Sequence, residues 1–524
     1  MTETIYSKSP TNSIASAHIS AKLFLLLVIV LFIAARLWRL TSSCLWFDEI
    51  FSVHAAEHSW RGLLPFVAAD LVHPPLFYIL LKLWIGIGGE STLWLRLFPA
   101  LASVLAIWPI LLLVRELDLN SSETTFALLL LAVNGYLIKY AQEVRMYSLL
   151  FFLSACSLWL FFSLSRINDG RQARLLALTV VNLLLIYTHY YGWLLVGLQA
   201  ALGFWFVPKL RKQLLLSFAL LLGSYVPWII LLTRSYQSQS LAQNIGWIPR
   251  PGLRALAQYS MLLNQPFVFP ESSADNATNP FGVMLVLVLF AIPIIMIVWR
   301  SRKDGSERPN RVLWLAAFAF APVVLVAGAS WILRNSIWGT RHFIIASVPY
   351  CVLAAVAIVR LPAYWARIAI FLVAGCWFSA TAVYVLIKPA PRFVWCAWTP
   401  LVQRAAQTDG SPAIKIYAFE DLIAYHLWFA TRDSTQRDFH VTVIKGMAGI
   451  REDAAYFLPR DFKEVAVGDP ALMTENEIWI AFRGSHFDQT QPPLDRLMRA
   501  GYHIDRLLSE KTQYQDAFLV KLRK

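Results

Sequence analysis

Two acids stand side by side, Asp48 and Glu49, in the stretch LWFDEIFSVH (Leu45–His54), among Trp46, Phe47, Ile50 and Phe51. Apolar and aromatic neighbours leave such a pair only partly hydrated, so each carboxylate must find a partner or act as one. A partly desolvated Asp makes a good general base toward a hydroxyl, because loss of water moves a carboxyl pKa up toward working pH. Four further stretches carry complementary groups. DLVHPPL (70–76) supplies His73 ahead of Pro74 and Pro75, which suit the first turn of a helix, and a helix N-terminus favours a nearby anion. KYAQEVRMY (139–147) supplies Glu143, Arg145 and Tyr147. THYYGW (188–193) supplies His189 and Tyr190, and RNSIWGTRH (334–342) supplies Arg341 and His342. Such a set fits transfer from a lipid-linked phosphate ester to a hydroxyl. One acid activates the acceptor, and cations offset the charge growing on the phosphate leaving group. Each group also has a plainer reading: an exposed Glu143–Arg145 pair is worth little, and tyrosines at a membrane surface are ordinary belt residues.

These residues need a membrane scaffold. The 524-residue chain is 58% hydrophobic and only 15% charged, whereas a soluble domain averages about 25% charged. Apolar runs recur from Leu23 to Leu386. Eleven spans are predicted, over 22–40, 94–114, 124–140, 147–165, 174–188, 191–207, 213–232, 281–299, 312–333, 342–359 and 366–387. HPPLFYILLKLWIGIG (His73–Gly88) is left out, being short and carrying Lys82 at its middle. If it does not cross, the basic loops SRINDGRQAR, PKLRKQ, RSRKDGSERPNR and RLPAYWAR share the side of the N-terminus, as the positive-inside rule asks. If it crosses, they face outward. The segment is therefore predicted to be interfacial or re-entrant. The odd number of spans then puts the chemistry-bearing stretches, and everything after Lys388, at the outer face of the plasma (inner) membrane.

The expected fold class is a polytopic α-helical membrane protein of about 11 transmembrane helices with a small external C-terminal α/β domain. Residues 1–21 are expected as a disordered cytoplasmic tail, 22–390 as the transmembrane domain with an external catalytic loop 41–73 and an interfacial helix 73–88, and 391–524 as the extracytoplasmic domain. In that last domain AIKIYAF (413–419), HVTVIKG (440–446), EIWIAFRG (477–484) and YQDAFLVKLRK (514–524) read as strands. EDLIAYHLWFATR (420–432) and PLDRLMRAGY (493–502) read as helices. No phosphate-binding glycine fingerprint marks a nucleotide site. The loop 233–280 is longer than a connection needs, and WIPRPGLRAL (247–256) within it reads as a turn leading into an amphipathic helix. The net charge of +14 sits mainly in short loops, where it sets topology and does not call for a nucleic acid partner. The five cysteines have no zinc-finger spacing. Cys44 and Cys396 can share a compartment and pair, which spacing alone does not decide.

Taken in order, RLWRLTSSCLWFDE, HPPLFYILLKLW, RLFPALASVLAI, YAQEVRMYSLL and THYYGWLL resemble the RgtA/B-like and dolichyl-phosphate-mannose-protein mannosyltransferase-like enzymes, glycosyltransferases of the GT-C superfamily related to family 39. The resemblance covers roughly residues 22–360. It implies a polyprenyl-phosphate sugar donor, inversion at the anomeric carbon, and a glycolipid, polysaccharide or protein acceptor. It implies Asp48 as catalytic base, with Glu49 positioning acceptor or donor. His73, Arg145 and Arg341 are implied near the donor phosphate, and Glu143 as a second acid. Related enzymes vary in using a divalent metal, and no metal ligand is assigned. The similar aminoarabinose transferases carry Glu-Lys ahead of the prolines, where this chain has Val72–His73.

A transporter or lipid-linked sugar flippase is the alternative, but it would be expected to place polar or broken segments at mid-bilayer. Here the ionisable residues cluster at the outer mouths of spans. A scaffold with decayed chemistry is disfavoured by the intact Asp48–Glu49 pair.

Overall fold

The structure, a computed structural model, describes residues 10–164, 171–237, 246, 248–267, 280–303, 311–388, 392–432, 437–444, 464–469 and 473–524. The expectations for residues 1–9 and for 238–245, 247 and 268–279 of the loop 233–280 lie outside the described residues; the helix expected after the turn at 247–256 is Leu253–Asn264. The chain forms two units. One comprises Met1–Arg39, Leu97–Val226 and Ile248–Lys388; the other comprises Leu40–Arg96, Pro227–Trp247 and Pro389–Lys524.

Among the described residues, seven helices are long and apolar enough to cross a membrane: Thr92–Glu116, Tyr147–Leu164, Pro208–Arg234, Pro280–Lys303, Arg311–Ile332, Thr340–Val359 and Tyr364–Ile387. The other four expected segments also fall on helices, Pro10–Leu37, Ser121–Val133 with Gly135–Ala141, Arg171–Thr188 and Gly192–Phe206. In the first unit, helix Tyr147–Leu164 is central, packed on Arg171–Thr188 and Ile107–Glu116. A closed triangle of hydrogen bonds ties three helices there: Ser157 Oγ donates to Asn182 Oδ1 (2.6 Å), Asn182 Nδ2 to Gln199 Oε1 (2.8 Å), and Gln199 Nε2 to Ser157 Oγ (2.7 Å). Buried side-chain amides so satisfied act as glue between apolar helices.

The expected span 124–140 is broken. Helix Ser121–Val133 stops at Asn134, which caps the short helix Gly135–Ala141 by accepting from Leu137 N–H (2.9 Å). The break is held by tertiary bonds. Gly135 N–H donates to Gln265 O (2.9 Å) and Phe267 N–H to Val133 O (2.8 Å). Arg36, fully buried, donates to the freed carbonyls of Leu131 (3.0 Å) and Ala132 (3.2 Å). The carbonyls that lose helical partners thus gain a guanidinium.

In the second unit, helices Phe47–Glu57, Trp60–Asp70 and Leu76–Gly88 follow one another. The last has 13 residues, about 20 Å of helix against a hydrocarbon core of about 30 Å. Its odd residue, Lys82, has a local reason. Its Nζ donates to Ala56 O (3.0 Å) and His58 O (2.7 Å), carbonyls at the C-terminal end of helix Phe47–Glu57. Tyr78 meets Phe51 edge-on at 5.9 Å. Cys44 and Cys396 are disulfide-bonded.

The C-terminal region holds a six-stranded sheet of order β3-β2-β1-β4-β6-β5, with β1 Ala413–Ala418, β2 Asp438–Ile444, β3 Ala466–Gly468, β4 Glu477–Gly484, β5 His503–Glu510 and β6 Asp516–Arg523. Strands β3, β2, β1 and β4 are parallel, and β6 and β5 are antiparallel additions. The four expected strands are present, with β3 and β5 beyond them. Helix Asp421–Thr431 crosses between β1 and β2, the usual way to join parallel neighbours. The buried pairs of β4 and β6, such as Ile478↔Leu522 and Ile480↔Val520, form the core with Leu494, Leu497 and Tyr502.

Candidate active site

Asp48 and Glu49 occupy the first turn of helix Phe47–Glu57. Successive helix positions point about 100° apart, and the two acids separate accordingly. Glu49 is fully buried. Its Oε2 accepts from Trp46 N–H (3.1 Å), and both its oxygens accept from the Arg96 guanidinium, Oε1 from Nε (3.1 Å) and Oε2 from Nη2 (2.9 Å). Arg96 spends its other donors on the loop before the helix: Leu40 O (3.0 Å), Ser43 O (3.0 Å), Ser43 Oγ (3.2 Å) and Cys44 O (2.8 Å). The Glu49–Arg96 pair therefore fixes the loop Leu40–Cys44 to the helix start, and Glu49 acts through position. Asp48 is half-buried. It sits where the positive end of the helix dipole favours a carboxylate, and its backbone carbonyl accepts from Ser52 Oγ (3.0 Å).

Arg96 is the residue that motif reading passed over. The signal was present: an arginine inside the apolar run LWLRLFPA, where a cation demands a partner. His73 lies just ahead of helix Leu76–Gly88 and is buried, with Nδ1 4.0 Å from Asp70 Oδ2. Leu71, in the left-handed region at φ 61°, turns the chain between Asp70 and His73.

The other candidates belong to the first unit. Glu143 and Arg145, both buried, lie in the bend between helices Gly135–Ala141 and Tyr147–Leu164, where Arg145 N–H donates to Glu143 O (2.7 Å). Tyr147 opens the second of those helices. Its ring lies nearly parallel to that of His342 (6.2 Å, 22°) and 6.4 Å from His189, and the Arg341 guanidinium sits 5.9 Å from its centroid. The His189 and His342 rings are 4.6 Å apart, and Tyr191 meets His342 edge-on at 4.9 Å. Tyr136 Oη pins the segment by donating to Thr340 O (2.8 Å) and Arg341 O (2.9 Å). Gly339 makes room: a Cβ there would lie 2.6 Å from His342 Nδ1. Tyr190 is half-buried on the turn beside His189, while Arg334 is exposed.

One hydrogen bond distinguishes the two ring nitrogens of His189. Tyr191 N–H donates to its Nδ1 (3.0 Å), so the neutral ring carries its proton on Nε2. Burial first, then the charges of Arg145 and Arg341, push its pKa down to about 3. The first unit thus presents two guanidinium groups, a neutral imidazole that can donate from Nε2, and tyrosine rings. That set can receive an anion with hydrogen bonds from fixed donors.

No protein-family model matches the chain, and no curated protein matches it. Solved structures do. ArnT from Cupriavidus metallidurans bound to undecaprenyl phosphate matches with a TM-score of 0.60 at 14% identity, over 98% of this chain and 98% of ArnT. The same protein in the apo state gives 0.59 at 15% identity, over 96% and 98%. The oligosaccharyltransferase of Archaeoglobus fulgidus in the apo form gives 0.48 at 14% identity, over 80% of this chain and 64% of that one. Matched almost end to end by ArnT, the chain shares its fold, a helical region with long apolar helices and a small C-terminal sheet domain.

Proposed function

We propose that the protein is an inverting glycosyltransferase that moves a sugar from a polyprenyl-phosphate donor to a hydroxyl of a glycolipid, polysaccharide or protein acceptor. The observation that carries this reading is the division of labour between the two acids. Glu49 is fully buried against Arg96, while Asp48, on the same first turn, is half-buried at the N-terminal end of the helix, the position at which the resemblance implies the base. In the reaction, Asp48 accepts the proton of the acceptor hydroxyl as its oxygen attacks the anomeric carbon. The C–O bond to phosphate breaks, and polyprenyl phosphate leaves from the opposite side with the bonding pair. Arg145, Arg341 and the Nε2–H of His189 serve the leaving phosphate, offsetting charge that grows as the bond breaks. His73, Glu143, Tyr147, Tyr190 and His342 contribute to substrate binding. The undecaprenyl phosphate bound to ArnT supports a polyprenyl phosphate as the ligand of this fold.

The reaction is placed at the outer face of the plasma (inner) membrane, with the loop 41–73 and residues 391–524 on the extracytoplasmic side. The loop-charge pattern supports this, and so does the Cys44–Cys396 disulfide, which persists in oxidising compartments. The test is mass spectrometry of lipids and glycans from cells with and without the protein. The expected result is one glycolipid or glycan that loses a single sugar, with its polyprenyl-phosphate sugar accumulating. Identical lipids and glycans in both cells would overturn the reading.

A further inference from the structure

The second unit holds a group of side chains that the transfer reaction does not use. His54 and His58 are four residues apart, which places both imidazoles on one face at the C-terminal end of helix Phe47–Glu57. Their ring centroids are 4.8 Å apart. Glu464, two residues before β3, brings a carboxylate to the same place: its Oε1 is 3.1 Å from His54 Nε2. One ligand atom from each of His54, His58 and Glu464 lies within 4.8 Å of the others.

The second nitrogen of each ring is also arranged. His58 Nδ1 is 2.8 Å from His54 O, and since a carbonyl only accepts, this nitrogen carries the proton and Nε2 keeps the lone pair. His54 Nδ1 faces Glu57 Oε2 at 3.4 Å. One ring backed by a carbonyl and the other by a carboxylate is the support that metal-ligating histidines recurrently have. Aromatic rings fix the orientation: Phe66 stacks on His58 (4.1 Å, 28°), and Phe66 and Trp428 meet His54 edge-on at 5.2 and 4.6 Å.

We propose that His54, His58 and Glu464 form a zinc site. Two imidazoles and a carboxylate are a donor set that zinc takes with one position left for water. Donor atoms about 3.3 Å apart suit tetrahedral zinc, and the His54–Glu464 pair already has that spacing at 3.1 Å. Glu464 is itself exposed, next to the buried Val465 that leads into β3. The ion ties that segment to the far end of the helix whose first turn carries Asp48.

The experiment uses the full chain in detergent, stripped with a chelator and titrated with zinc alone against a chromogenic zinc indicator. The wild type should take up one zinc equivalent that His58→Ala and Glu464→Gln either lack or hold at least about 100-fold more weakly. His58→Cys, which restores a zinc donor, should regain it. Zinc should raise the melting temperature of the wild type and of His58→Cys, and leave the other two unchanged. Equal zinc stoichiometry and affinity in the wild type, His58→Ala and Glu464→Gln would overturn the site. So would a wild type that takes up no zinc at micromolar free metal, which would leave the cluster as an ion pair on His54.

Discussion

Exchanging Arg96 for methionine tests how the start of helix Phe47–Glu57 is held. The substitution keeps most of the apolar stem and removes six hydrogen bonds, two of them to Glu49. Removing one partner of a buried ion pair costs about 3–5 kcal/mol, because the other charge is left without compensation. The carbonyls of Leu40, Ser43 and Cys44 lose donors as well, at roughly 1 kcal/mol each where water cannot replace them. The single variant should therefore lose about 5 kcal/mol or more, a large share of an ordinary folding free energy. The double variant Arg96→Met/Glu49→Leu removes the stranded charge and should recover about 3 kcal/mol of that loss. Tryptophan fluorescence during heating in detergent gives the order directly: the wild type melts at the highest temperature, the double variant lower, and Arg96→Met lowest. A double variant that melts with or below Arg96→Met would refute the clamp, as would an Arg96→Met protein that melts with the wild type.

Two further outcomes follow from the first unit. Gly339→Ala drives a methyl into His342 Nδ1, 2.6 Å away. The ring must leave its place between His189 and Tyr191, so the donor KM should rise several-fold while stability falls by about 1–3 kcal/mol, read from transfer kinetics and melting. An unchanged KM would separate His342 from the donor. His189 gives a pH signature. Its pKa is about 3 in the fold and about 6.5 in the unfolded chain. The unfolded state therefore binds a proton that the folded state refuses. Stability is unaffected above pH 6.5 and falls by up to about 1.4 kcal/mol per unit as pH drops from there toward 3. His189→Asn should flatten that fall in melting temperature between pH 6.5 and 4, and a curve as steep as the wild type's would contradict the assignment.

Much of the fold was legible because hydropathy is a long-range signal: each expected span falls on a helix, and β1, β2, β4 and β6 lie where alternating apolar residues put them. The misses have physical causes. The run 124–140 is predominantly apolar, and its break at Asn134 depends on Arg36 and on backbone partners more than a hundred residues away. Helices Tyr147–Leu164 and Tyr364–Ile387 are both apolar all round, yet 89% of the first's apolar window is buried and 6% of the second's. Lipid and protein core ask for the same residues, so composition does not tell a central helix from a peripheral one. Strand β5 escaped because it is an exposed edge with an irregular register between Ile504 and Arg506, which breaks the period of two. At the candidate site the acids, histidines and arginines announced themselves by type. What separated Asp48 from Glu49 was Arg96, a partner 47 residues away that no local pattern links to them.

The central claim is that Asp48 takes the acceptor's proton. The direct measurement is sugar transfer from a purified polyprenyl-phosphate donor, once the acceptor is known, by wild type and by Asp48→Asn of equal melting temperature. Asparagine keeps the size and removes the base, so the rate should fall by about 10²–10⁴-fold with donor binding retained. A folded Asp48→Asn protein that transfers sugar within about threefold of the wild-type rate, less than 1 kcal/mol of barrier, would contradict it.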